Sequence, residues 1–414
     1  METMRGTPAH SRETYTPRPR RRRSGIALCL SGGGFRAVLF HLGALRRLNE
    51  VGILTQVRTF TSVSGGSIVA AHLASLAPVW PDPGTPLPDW ERNVAAPLRA
   101  LTNRNLRTVP LARRFFLPWY WFRSGTAVRD LEHAYARHLT SLTLGDLPAR
   151  PRFVFCSTDM AFGVNWIFDS CSPDTGEARL GDYQVGYAPF PDWPLARAVA
   201  ASSCCPPFFD PLPLGLAPKD LKNGKYRLAD RDALIAGLSL TDGGVYDNMG
   251  LEPVWKDHEF VLVSDGGAVF QQEGDRGLLG RLQRYHAVVD RQSRALRKRW
   301  LIAGFIQGAF TGAYWGLGSA VAHYETDVAG YSEDLVTEHI ARIRTDFDAF
   351  NSAEAAILEN HGYLLAGAAV RRHLPHMTSD PTPSLVVPFP RWQRENAVRT
   401  ALRRSHHRTL LGRW

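Results

Sequence analysis

Three short stretches carry residue types that could act together as a hydrolytic centre. Ser62-Val63-Ser64-Gly65-Gly66 stands where a strand-like run gives way to an apolar, helix-like one. A serine at such a turn is held in a strained backbone conformation with its hydroxyl presented, provided that the residues two before and two after it are small. Gly66 meets the second requirement, and Ser62 stands where a glycine is usual. Gly32-Gly33-Gly34-Phe35-Arg36 lies between another strand-like run and a helix start, so its backbone N–H groups can converge on an anion, a phosphate or the oxyanion of an acyl intermediate. Nucleotide binding is disfavoured, because no Gly-Lys-Ser/Thr follows and Ala37 holds the sixth position of the Gly-x-Gly-x-x-Gly pattern. The third stretch, Leu240 to Asn248, places Asp242 before Gly243 and Gly244. Such an Asp either opens a turn or serves as general base to a hydroxyl. Asp265, before Gly266 and Gly267, is a rival base, and His286, His339 and His361 follow Asp242 in the order a Ser-Asp-His triad would need.

These residues need a frame to hold them. Gly25 to Leu30 and Val57 to Val63 read as strands, and Phe35 to Glu50 as a helix stopped by Gly52. A second helix begins near Ile68, and the alternation predicts a layered α/β sheet. Trp80 to Trp90 reads as loop, and residues 91–150 as mostly helical, interrupted by an aromatic cluster from Arg113 to Phe122. Arg152 to Cys156, Lys225 to Leu228, Leu238 to Thr241 and Phe260 to Ser264 read as further strands, and residues 275–300 and Ala349 to Arg372 as helices. Leu301 to Ala322 carries no charge and is long enough to span a membrane. Its Gly and Ala content and the polar region that follows favour instead a buried or interfacial helix lining an acyl site.

The chain has 414 residues and a formal net charge of +10, with 44% hydrophobic residues, which excludes a disordered or fibrous protein. The charge is concentrated at the ends. Residues 1–23 hold seven Arg against Glu2 and Glu13, residues 391–414 hold seven Arg against Glu395, and the stretch between is close to neutral. Such ends read as solvated or membrane-attracted arms rather than a DNA-reading surface, so an anionic membrane is the expected partner and no nucleic acid is. The expected organisation is a basic tail at 1–23, a catalytic domain at 24–385 with a helical and aromatic insertion at about 80–150, and a second basic tail at 386–414. Cys29, Cys156, Cys171, Cys204 and Cys205 show neither metal-binding nor disulfide spacing, so reduced thiols, no metal and no cofactor are expected. No signal-peptide-like run precedes Gly25, which makes the cytoplasm, with peripheral membrane contact, the expected location.

Taken together, Ser31 to Ala37 (SGGGFRA), Ser62 to Ser67 (SVSGGS) and Thr241 to Asn248 (TDGGVYDN) resemble, in order, the motifs of the patatin-like phospholipase family. Ala200 to Pro211 (AASSCCPPFFDP) is similar to that family's Ala-Ser-rich segment. The resemblance implies a three-layer α/β/α fold around a mostly parallel sheet and a lipid acyl hydrolase working through a dyad. Ser64 would be the nucleophile, Asp242 the general base, and the N–H groups of Gly32, Gly33 and Gly34 the oxyanion hole, with Arg36 supporting that loop. Asp242 is favoured over Asp265 because Tyr246 to Asn248 continues the motif. The substrate would be an acyl lipid. The alternative is a non-catalytic lipid-binding protein on the same fold, suggested by the departure at Ser62.

Overall fold

Apolar runs with no polar face become the centre of the sheet. The computed structural model describes residues 23–117, 125–206, 208–269, 277–379, 381–409 and 411–413. The N-terminal arm before Arg23 and the end of the aromatic cluster, Pro118 to Phe122, lie outside them. In chain order the elements begin with β1 (Ile26–Leu30), α1 (Gly34–Glu50), β2 (Val57–Val63) and α2 (Gly65–Ala74). The insertion follows as α3 (Ala96–Thr102), α4 (Thr108–Phe116) and α5 (Thr126–His138). Then come β3 (Arg152–Asp159), β4 (Asn165–Asp169), β5 (Arg179–Asp182), β6 (Gly186–Pro189), α6 (Leu195–Ser203), β7 (Leu212–Pro213) and β8 (Lys222–Asn223). The remainder is α7 (Arg231–Ala236), β9 (Ser239–Asp242), α8 (Gly244–Asp247), β10 (Phe260–Asp265), α9 (Gly277–Ile306), β11 (Thr311–Gly316), the single turn α10 (Glu333–Leu335), α11 (Ser352–His373) and α12 (Glu395–Leu402).

The sheet runs β11-β10-β1-β2-β3-β4-β5-β6-β8, with β9 on β3 and β7 on β9. It is parallel from β11 to β3 and antiparallel beyond. β1 is buried on both faces, as its unbroken IALCL run requires of a central parallel strand. One face packs against α1, α2, α5, α6 and α11 in the main core. On the other face, Ala27, Cys29, Val261 and Val263 meet Leu251, Val254 and Leu301, which puts the 249–258 turn and α9 over β1 and β10. The arrangement is three-layered α/β/α. Helices α1 and α11 touch backbone to backbone, since a Cβ on Gly43 would lie 1.8 Å from the Glu359 carbonyl oxygen and one on Gly362 2.0 Å from that of Phe40.

Three expectations are corrected. Leu301 to Ala322 is not one helix: α9 ends at Ile306, Gly308 turns with φ +66°, and Thr311–Gly316 is the edge strand β11. The uncharged stretch is apolar because Ala313 and Trp315 face the core. Among the described residues no helix is long and apolar enough to cross a membrane. Lys225 to Leu228 forms no strand, and the pairing there is made by Lys222–Asn223. Residues 386–414 do not leave the body as an arm. Val398 and Leu402 of α12 are buried, and Arg413 reaches Glu354 at 2.7 Å and donates its backbone N–H to Asp348 at 3.0 Å. Two of the arginines that looked like a solvated cluster, Arg408 and Arg413, have partners in the loop before α11 and in α11 itself, the Thr345 carbonyl and Glu354. The five cysteines are unpaired.

Candidate active site

The ends of β1, β2 and β9 bring the three stretches to one place. Ser64 caps α2 with φ 52° and ψ −118°, a left-handed conformation that a non-glycine residue adopts only when its surroundings enforce it. The enforcement is visible. The Ser64 N–H donates to Ser202 Oγ at 3.0 Å and to the Ser202 carbonyl at 3.1 Å. Gly65 and Gly66 have no room for a side chain, as Cβ atoms there would stand 2.2 Å from the Gly34 carbonyl and 2.1 Å from that of Leu30. Ser62, in the usual glycine position, is fully buried, donates to the Val154 carbonyl at 3.3 Å and accepts from Ser67 Oγ at 3.0 Å. The extra hydroxyl is therefore absorbed by the elbow.

The glycine loop lies against this elbow. A Cβ on Gly32 would stand 3.1 Å from Ser64 Cβ and 2.6 Å from Asn248 Oδ1. The Gly32 N–H is already donated to the Asn248 carbonyl at 3.0 Å, whereas the first-turn positions of Gly33 and Gly34 leave their N–H groups outside the helical ladder. Gly34, at φ +59°, backs onto Asp346, whose carbonyl accepts from Phe35 at 2.9 Å. Arg36 turns inward and donates to the carbonyls of Ile343 (2.7 Å) and Gly266 (3.1 Å), so it holds the loop from below. Burial pulls its guanidinium down to about 9, with Arg294 and Arg408 adding repulsion.

Asp242 ends β9, paired antiparallel to Ser157 of β3, and Thr158 Oγ1 donates to its carbonyl at 2.8 Å. Its carboxylate accepts the Gly244 N–H at 2.7 Å. Burial pushes this carboxyl up to about 6, while the Gly244 N–H, Ser64 and Arg294 pull it down. The rivals lie elsewhere. Asp265 accepts from Tyr314 Oη at 2.8 Å and from its own turn. His361 is buried on the Leu317 carbonyl at 2.9 Å, and the side chain of His286 lies outside the described residues. No described histidine is hydrogen-bonded to Ser64 or Asp242, and no described group of three or more His, Cys, Asp or Glu could hold a metal ion.

Sequence reasoning overlooked Ser202 and the props from Asp346 and Ile343. The run of small residues Ala200 to Ser203 was the only signal for the first, and nothing local marked the other two.

The family described as Patatin-like phospholipase matches residues 28–255, more than half of the chain. No curated protein sequence matches. Among solved structures, human GIVD cytosolic phospholipase A2 aligns at 14% identity over 59% of this chain and 46% of that one, with a TM-score of 0.39. Its complex with methyl gamma-linolenyl fluorophosphonate aligns at 13% identity over 86% and 60%, with a TM-score of 0.44. VipD from Legionella pneumophila aligns at 16% identity over 85% and 67%, with a TM-score of 0.34. The chain thus spans less than half the length of the first of these structures. On the family match, the chain belongs to the patatin-like phospholipases.

Proposed function

We propose that this chain is a serine hydrolase that cleaves carboxylic esters of phospholipids or other acyl lipids. The observation that carries the reading is Ser64 in a forced left-handed conformation at the end of β2, with the buried carboxylate of Asp242 at the end of β9 near enough for the Ser64 side chain to lower its pKa. In the proposed cycle Asp242 takes the Ser64 proton as Oγ attacks the ester carbonyl. The tetrahedral oxyanion is received by the N–H groups of Gly33 and Gly34 at the start of α1, where the helix dipole adds positive potential. Gly32 contributes by its lack of a side chain, its own N–H being bound to Asn248. Collapse of the intermediate expels the alcohol, which leaves with the proton from Asp242, and Ser64 holds the acyl group. Asp242 then deprotonates a water molecule, whose attack releases the fatty acid and returns the proton to Ser64. A carboxylate is a weak base for a hydroxyl, so positioning and oxyanion stabilisation supply most of the acceleration.

A fluorophosphonate probe tests this directly. It should label the chain at Ser64, and Ser64→Ala should abolish both labelling and ester turnover. Undiminished labelling of that variant would remove Ser64 as the nucleophile. The arginine-rich residues 1–23 we read as attracted to anionic membranes; their deletion should weaken vesicle binding and spare hydrolysis of a soluble ester.

A further inference from the structure

The second face of the sheet is not covered along its whole width. Over β2 to β6 it carries a thin apolar strip, Val63, Val154, Cys156 and Ile167 with Tyr187 against them. A groove of about 920 Å³ lies there, with Ile167, Arg179 and Tyr187 among its floor residues and the 249–258 turn as one wall. That volume suits a small-molecule site.

The charges around the groove are unbalanced. Arg152 and Arg179 are committed to the buried Asp169, Arg152 through two bonds of 2.7 Å. Of the lining carboxylates, Asp174 pairs with Arg179 and Glu252 with Lys256. Arg23, Arg58, Arg150 and Lys225 have no carboxylate partner among the described residues. Arg58 donates to Ser24 Oγ, Arg23 donates to the Ala309 carbonyl, and Lys225 lies over the Tyr183 ring. His258, held between Val254 and Thr59, is kept neutral by burial and adds no charge. Clustered cations without carboxylate partners suit an anion of high charge density, which a phosphate group supplies.

We infer that this groove binds a phosphate-bearing molecule, its phosphate groups received by Arg58, Arg150 and Lys225. The groove does not share its lining with Ser64 or Asp242, so the inference stands whether or not the chain is a hydrolase. The phosphate is carried either by a free small molecule or by a lipid headgroup, and the two are separable. Full-length protein carrying Ser64→Ala would be titrated calorimetrically with fructose 1,6-bisphosphate, with inorganic pyrophosphate, and with vesicles containing phosphatidylglycerol. The triple variant Arg58→Gln/Arg150→Gln/Lys225→Gln would be run alongside, its melting temperature serving as the check on folding. Binding of the sugar bisphosphate that weakens at least about tenfold in the triple variant supports the free ligand. Groove-dependent binding of the vesicles alone supports the headgroup. Failure of all three probes to bind at millimolar concentration, or equal binding by the triple variant, would overturn it.

Discussion

The backbone N–H of Ser64 is held by both oxygens of one residue, Ser202, at 3.0 Å to Oγ and 3.1 Å to the carbonyl. The same Ser202 Oγ donates to the Cys156 carbonyl at 2.6 Å and lies 2.8 Å from Ser67 Oγ, and the Ser202 carbonyl also accepts from Gly243 at 3.3 Å. The end of α6 therefore fixes the elbow and the Asp242 turn to one point. Ser202→Ala keeps the carbonyl bonds and loses the hydroxyl ones. The expected outcome is a loss of about 1–3 kcal/mol in unfolding free energy and a fall in kcat of tenfold or more with KM little changed, because the nucleophile loses its alignment and the binding surface does not. Steady-state kinetics and denaturant unfolding would check both.

Asp242 should leave a pH signature. A general base must be ionised, and burial holds this carboxyl at about 6, so kcat/KM should fall below that pH and reach a plateau above it. Because the folded value lies above the ordinary 3.8, the group favours the folded state when protonated, and that contribution is lost as pH rises through about 6. Asp242→Asn removes the cost of a buried charge while keeping an acceptor for the Gly244 N–H. It should be more stable than the unsubstituted chain at pH 8 by roughly 1–3 kcal/mol and slower by about 10²–10⁴-fold. Arg294→Ala, which removes a charge that favours the ionised form, should move the acidic limb to higher pH.

Much of this site was legible because its signals are local. Gly32 to Gly34, Ser64 and Asp242 each sit at a strand end, and the small residues around them leave a mark in the sequence independent of what they touch. The chain's two faces explain what was missed. Leu301 to Ala322 was read as helix because an uninterrupted apolar run records burial without its geometry, and an edge strand covered by Phe310 and Trp315 looks the same as a buried helix. Arg413 was read as part of an arm because the carboxylates that receive it, Asp348 and Glu354, lie far back in the chain.

The glycine loop tolerates no side chain at the position that would face an oxyanion. A Cβ on Gly34 would stand 2.6 Å from the Asp346 carbonyl, on a backbone with φ +59°. Gly34→Ala should therefore cost about 1–3 kcal/mol of stability and reduce turnover by two orders of magnitude or more, through displacement of the N–H groups rather than loss of a chemical group. A Ser64-directed probe would still label the folded fraction, at a much lower rate.

Two buried carboxyls at the ends of β3 and β5 should also make stability sensitive to pH. Asp159 and Asp182 each spend one oxygen on backbone N–H groups, those of Ala161 and Phe162 and those of Gln184 and Val185. Burial, helped by the neighbouring Asp159 carboxyl, pushes Asp182 up to about 7. A raised folded value stabilises at low pH, and the benefit is lost as pH rises towards and through 7. Asp182→Asn supplies a permanent donor to Asp159, and should flatten the decline in Tm between pH 5 and 8. An unaltered slope in that variant would place the pH dependence elsewhere.

The C-terminal residues should matter for folding before they matter for any membrane. Arg344, with its side chain wholly buried, pairs with Asp348 at 2.9 Å and Glu354 at 2.6 Å, and Arg413 adds a second cation to Glu354. Arg408 donates to the Thr345 carbonyl and Ser405 accepts the Arg344 N–H, so this segment closes over the loop that carries Ile343 and Asp346 beneath the glycine loop. Removing one member of a buried ion cluster leaves its partners desolvated without compensation. Glu354→Ala should therefore cost about 3–5 kcal/mol, and Arg413→Ala, which leaves the Arg344 contacts intact, a smaller amount. Truncation after Leu402 should lower Tm and reduce turnover of a soluble ester, because Arg36 then loses the rigidity of the loop it binds. Full activity and unchanged Tm in that truncation would return residues 403–414 to the status of a free arm.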